Sequence, residues 1–244
     1  MDIEQIFGQV VKEVGGQIVS DLVGSSPAFN NADYIFPQYK VVAELKCLEK
    51  DKSNDPHMAH KLVNLWTSWT ARNLVKGPPP LIMRSDNLPD ICKQEMMKAV
   101  RQSIHKRIIK ANRQLKETKE ALGIRDYRNL LIISNSGNFA LSPPALVHIL
   151  FTALRHNFSE LNNFLVFTST LAVKMGSQGL SHLWLPCHID ETDIIEQSFY
   201  NELGQAWFRK LKTSFPLKVS GDQNLDPAIF WKSSFQQLTS VISK

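Results

Sequence analysis

Apolar residues fall at helical spacing from the first turn of the chain. Ile3, Ile6, Phe7, Val10, Val14, Ile18 and Leu22 recur three or four positions apart, which predicts one amphipathic helix over residues 3–23. The stretch GSSPAFNNA reads as a loop. The pattern then becomes that of two strands, Asp33–Phe36 and Lys40–Leu48, joined by PQY. After the polar turn EKDKSNDP, a second helix is expected over 57–76, carrying Leu62, Leu65, Trp66 and Trp69 and stopped by GPPP. A long helix follows from Asp90 to Leu122, closed by Gly123. NLLIISNSG reads as a buried strand and turn, and SPPALVHILFTALRHN as a helix with proline in its first turn. NFLVFTST is another buried strand, SHLWLP a short one, and residues 192–213 a last helix. From Phe215 onward no element is assigned. Helices and strands alternate, so the expected class is α/β around one mixed sheet.

Composition narrows the setting. The 244 residues are 43% hydrophobic and 21% charged, enough for a sizeable core. No apolar run is long enough to span a bilayer, so no membrane partner is expected. Acids precede any apolar stretch at the start, so no signal peptide is expected. Cys47, Cys92 and Cys187 lie far apart without CxxC spacing, which suggests neither zinc nor a disulfide framework and makes a cytoplasmic location the expectation. The net charge of +5 argues mildly for an anionic partner.

The chemistry concentrates in DYIFPQYKVVAELK, residues 33–46. In a strand, residues two apart share a face. Val41, Ala43, Leu45 and Cys47 would line a core side, and Lys40, Val42, Glu44 and Lys46 the other. If the two strands pair through their tight turn, Asp33 comes within reach of Glu44. Two carboxylates and one ammonium group would then converge at one end of a sheet. Such a pair of carboxylates suits Mg²⁺, which takes oxygen ligands and completes its shell with water and substrate phosphate. The lysine would orient an attacking water or offset charge growing on the phosphate. The competing reading is a salt bridge on a half-exposed sheet. A second E-x-K, Glu117–Lys119, falls on the long helix, where its side chains diverge and no such site is expected.

Helix, ADYIF, turn, VVAELK and basic helix together resemble the PD-(D/E)XK nuclease superfamily, with its restriction-endonuclease-like fold. The resemblance covers residues 1–135, with a helical insertion near 57–76, and leaves 136–244 as an α/β extension of the same domain with no chemistry assigned. It implies a Mg²⁺-dependent nuclease, with Mn²⁺ as a substitute, that hydrolyses phosphodiester bonds in nucleic acid, most naturally DNA. Asp33 and Glu44 would hold the metal, and Lys46 would position the attacking water. Ala32 stands where the named motif has proline. The family core has three strands before its second core helix, and the pattern displays two.

Members of the superfamily often add an acid from the first helix, and Glu13 is the candidate metal ligand there. On the long helix, Lys93, Lys98, Arg101, Lys106, Arg107, Lys110, Arg113, Lys116 and Lys119 make a strongly basic surface. Arg101, Lys106 and Lys110 could track a phosphate backbone, while Arg107 and Gln114, one heptad apart, could face the site. Each has a plain alternative as a solvated helix face. Trp66 and Trp69 could stack bases but fit packing under the inserted helix better. His57 and His60 lack a third metal ligand. SNSGN at 134–138 lacks the spacing of a phosphate loop and reads as a turn. Two further readings stay open: a non-catalytic nucleic-acid-binding module, or a protein-interaction domain on the same fold. A homodimer or a protein partner is compatible with either.

Overall fold

In the computed structural model, residues 2–24, 27–48, 56–80, 88–135, 143–158, 161–168, 173–174 and 180–214 are described. The first helix, α1, spans Ile3–Glu13 and stops ten residues short of the expected end. Gly15–Gly16 breaks it. Gly15 has φ +72°, and a Cβ on Gly16 would lie 2.6 Å from Val11 Cγ1 and 2.8 Å from the Phe36 ring. The chain instead makes a short strand β1 (Gln17–Ile18) and a short helix α2 (Val19–Val23).

Strand β2 (Tyr34–Phe36) and strand β3 (Val41–Cys47) then pair antiparallel, joined by a 3₁₀ turn over Pro37–Tyr39. Three strands therefore precede the long helix, where two were expected. The helical insertion α3 covers Pro56–Ala71. It ends before GPPP because Asn73 turns left-handed (φ 57°), and Leu74 N–H closes on the Trp69 carbonyl. Helix α4 (Asp90–Leu122) is as long as expected and is closed by left-handed Gly123.

The remaining elements are β4 (Arg128–Asn135), α5 (Pro143–Asn157), β5 (Asn163–Thr168), the two-residue pair β6 (Val173–Lys174) and β7 (Leu180–Ser181), β8 (Trp184–His188) and α6 (Gln197–Ser214). The last strand and last helix begin later than the sequence pattern suggests. The tail from Phe215 and most of SNSGN lie outside the described residues.

One six-stranded mixed sheet runs in the order β1-β2-β3-β4-β5-β8. β3, β4 and β5 are parallel, and β8 returns antiparallel to β5. Parallel strands need crossovers, which place helices on both faces. Ile104, Ile108, Ala111 and Leu115 of α4, with α5, cover Val42, Leu131, Ile133 and Val166. Phe7 and Val10 of α1, with Phe199 and Trp207 of α6, cover Val41, Ala43, Leu45 and Phe167. Strand β3 sits inside this sandwich, so both its faces are interior rather than one. Trp66 and Trp69 build a separate small core with Leu88 and Cys92, joining α3 to the N-terminal end of α4.

Candidate functional site

The register of β2 and β3 decides the geometry. Tyr34 pairs with Ala43 and Ile35 with Val42, so the next step back sets Asp33 opposite Glu44. Opposed residues in an antiparallel pair share a face. The Asp33 and Glu44 carboxyls come within proton-sharing reach of one another. Lys46, two residues along on the same face, donates its Nζ to Glu44 Oε1. Asp33 is fixed by the Leu45 N–H, which donates to Oδ2 at 2.7 Å.

This cluster is no half-exposed sheet surface. The Glu44 side chain has 0% exposure and that of Lys46 15%. The reason is the position of β3, covered by α4 on the face that carries both residues. Burial, and then the Asp33 charge, push the Glu44 carboxyl up to about 8, against the pull of Lys46. Burial also raises Asp33, opposed by the Leu45 hydrogen bond and by the charges of Lys46 and Lys110. Glu44 Oε2 is buried and meets no hydrogen-bond donor. Two neighbouring acids with a buried oxygen that meets no donor suit a bound cation, whose binding would favour their charged forms. Among the described residues, no group of three or more His, Cys, Asp or Glu is arranged to hold a metal. The donors are two carboxylates, which suits a hard cation that keeps water and phosphate as its other ligands.

Helix α4 completes the surroundings. Gln114 Oε1 accepts from Lys46 Nζ at 3.1 Å, while its Nε2 donates to the Asn31 carbonyl at 2.8 Å. The amide thus ties the lysine to the loop that carries Asp33. Arg107 donates to the Cys47 carbonyl at 2.9 Å, so it braces the end of β3 and its guanidinium is engaged there. Lys110 lies close enough to lower the Asp33 carboxyl by its charge. Lys106 is exposed one turn away. Arg101 bears on His148 of α5 rather than on the site.

Glu13 is not brought to the trio. It is exposed and pairs with Arg209 of α6 at 2.8 Å. The α1 acid that shares a cleft with Asp33 is Glu4. With Gln5, Gly8, Gln9, Asn31 and Asp33 it lines an open cleft of about 320 Å³. The charges of Asp33, Glu4 and Glu44 also bear on the Tyr34 phenol, already held above its ordinary range by burial. Helical periodicity offered a signal for Glu4: it lies in the same first turn as buried Ile3 and one residue from it. Which end of α1 meets the loop before β2 depended on the Gly15–Gly16 reversal, which the apolar spacing concealed.

No family model, curated protein or solved structure matches this chain. No helix among the described residues is long and apolar enough to cross a membrane.

Proposed function

We propose that this protein is a metal-dependent nuclease of the PD-(D/E)XK type, with a restriction-endonuclease-like core, acting on phosphodiester bonds in DNA. The observation that carries the reading is the buried Asp33–Glu44–Lys46 cluster, in which Lys46 Nζ meets Glu44 and the Leu45 N–H holds Asp33. The element order supports it: α1, three antiparallel strands, a long helix, then a strand parallel to β3.

Asp33 and Glu44 would hold Mg²⁺ or Mn²⁺. Such an ion, when bound, supplies charge that polarises a phosphoryl oxygen and acidifies a coordinated water. The protein's own groups do the rest. Lys46, a compact cation with several donors, orients the attacking water and offsets charge on the phosphate. Gln114 holds that ammonium group in place, and the Leu45 N–H fixes the Asp33 carboxylate. Preorganisation matters because Lys46 acts chiefly in the transition state.

The test is direct. Purified protein is incubated with plasmid and with single-stranded DNA in Mg²⁺, Mn²⁺ or a chelator. Shortened products that require the cation support the reading. Binding without shortened products in any of these conditions favours the non-catalytic module instead.

A further inference from the structure

Helix α4 is 33 residues long, which is about 50 Å. Its fully buried contacts with the core on this face of the sheet come from Ile104 onward, with Met97 partly buried against the same core. The turns before that are covered by α3 through Trp66, Trp69, Leu88 and Cys92. Together, α3 and the N-terminal part of α4 form a helical arm that leads off from the candidate active site.

The arm is strongly cationic in a specific way. Its described residues from 56 to 80 contain Lys61, Arg72 and Lys76 and no acid. From 88 to 110, α4 and its lead-in contain six lysines and arginines and only two acids, Asp90 and Glu95. Both acids are spent inside the arm: Asp90 pairs with Lys93 at 3.0 Å, and Glu95 with Arg72 at 2.8 Å. Lys110 and Lys106 are exposed and lie one turn apart on the same side of α4. One further turn along stands Gln102, whose side chain accepts from Lys61 of α3 at 2.6 Å. Three ammonium groups therefore form a row that begins one turn from Gln114, which accepts from Lys46, and climbs the arm. From Lys110 to Gln102 the row rises about 12 Å along the helix, the span of three to four nucleotides of one strand.

We infer that Lys110, Lys106 and Lys61 form a phosphate track that holds one nucleic-acid strand on one side of the reaction centre, and that the inserted helix α3 is a substrate-binding element. The track rests on the nuclease reading for its start point. It assigns Lys61 a role, and it leaves Arg107 and Arg101 out because they are directed at Cys47 and toward His148. A phosphate backbone is the partner whose repeating charge fits a row of cations with no described acid among them.

The test separates the track from the active site. Binding to single-stranded and duplex oligonucleotides is measured across a salt series with a chelator present, so that no cleavage intervenes. Three proteins are compared: wild type, Lys61→Glu/Lys106→Glu, and Lys116→Glu/Lys212→Glu as an equal charge change elsewhere on the surface. Circular dichroism checks folding, and Lys61→Gln/Lys106→Gln serves as a milder pair. The arm variants should bind at least about tenfold more weakly than the control variant, with the salt slope reduced by about 1.5 to 2. Arm variants that match the control in both measures, or a wild type that binds neither substrate, would overturn the track. Loss of binding in the arm variants of a protein that cleaves nothing in Mg²⁺ would sink the nuclease reading and leave the track standing.

Discussion

The chain carries the tripeptide pattern E-x-K twice, as Glu44-Leu45-Lys46 on β3 and Glu117-Thr118-Lys119 on α4, and the two behave oppositely. On the strand, side chains two apart share a face, and Lys46 meets Glu44 directly. On the helix they point apart. Glu117 turns instead to Asn30, whose backbone N–H and side-chain amide donate to it at 2.7 and 2.8 Å. Those bonds hold the Glu117 carboxyl below its ordinary range, whereas burial and Asp33 lift Glu44 to about 8. The same letters give a stabilised surface anion in one place and, in the other, a buried acid whose ionisation is disfavoured. A tripeptide has chemical meaning only through the element it falls on and the groups opposite it.

The largest expected difference between the two sites is in turnover. On the nuclease reading, Lys46→Ala and Asp33→Asn should each lower the rate of DNA cleavage by at least about 100-fold, because each would remove a group aimed at the reacting phosphate or its metal. DNA affinity should largely survive, since it comes mainly from backbone contacts elsewhere. The comparison is made at one salt concentration, on preparations cleared of contaminating nuclease. Cleavage by both mutants at the wild-type rate would remove the trio from the mechanism.

The next effect is on stability and its pH dependence. The folded-state value of Glu44 is raised above its unfolded one, so its protonated form favours the fold. That contribution is complete below about 4.5 and is lost as pH rises through about 8. Glu44→Gln keeps the shape without the titration, so its denaturation midpoint should vary less with pH across this window than that of the wild type. A wild type with the same pH profile as Glu44→Gln would show that Glu44 is not buried as an acid. Lys46→Ala should steepen the dependence: little cost at pH 6, where the raised Glu44 carboxyl favours its neutral form, and up to about 3 kcal/mol at pH 9, where a buried carboxylate loses its partner.

A divalent cation should change the same titration. If Asp33 and Glu44 hold the ion, calorimetry near pH 7 in buffers of different ionisation enthalpy should detect proton release as Mg²⁺ binds, because the raised Glu44 carboxyl would have to ionise. Binding with no proton released would place the ion somewhere other than between Asp33 and Glu44. The smallest effect is expected at the second tripeptide. Glu117→Gln and Lys119→Ala should leave turnover unchanged within error, and a large loss of cleavage in either would show that the C-terminal half of α4 acts in catalysis.

Much of this site was legible in the sequence, for reasons that differ by residue. Asp33, Glu44 and Lys46 could be brought together on paper because strand alternation and a tight turn leave little freedom in register. Gln114 was legible from its heptad spacing to Arg107 on the flank of the α4 stripe. The depth of the cluster was not. Alternating charge in VVAELK resembles a half-exposed strand, and only the parallel β4 and its crossover helix cover the second face. Arg107 and Glu13 could be assigned to a face but not to a partner, since Cys47 lies 60 residues and Arg209 lies 196 residues away. β1 was lost to an apolar spacing that continues through the Gly15–Gly16 break.

The loop before β2 has a kinetic consequence. Asn30 bonds to Glu117, Asn31 to Gln114 and Ala32 to Thr118, across separations of 83 to 87 residues. Three consecutive loop residues are thus laced to two turns of one helix, and Asp33 comes immediately after them. Closing so long a segment of chain carries an entropic penalty before any contact repays it, so this lacing belongs among the slow events of folding. A nascent chain whose synthesis has not passed Thr118 has Asp33, Glu44 and Lys46 but lacks the helix turns that set the loop. Synthesis therefore reaches the trio early and its scaffold late, and the cluster is assembled only when α4 has docked.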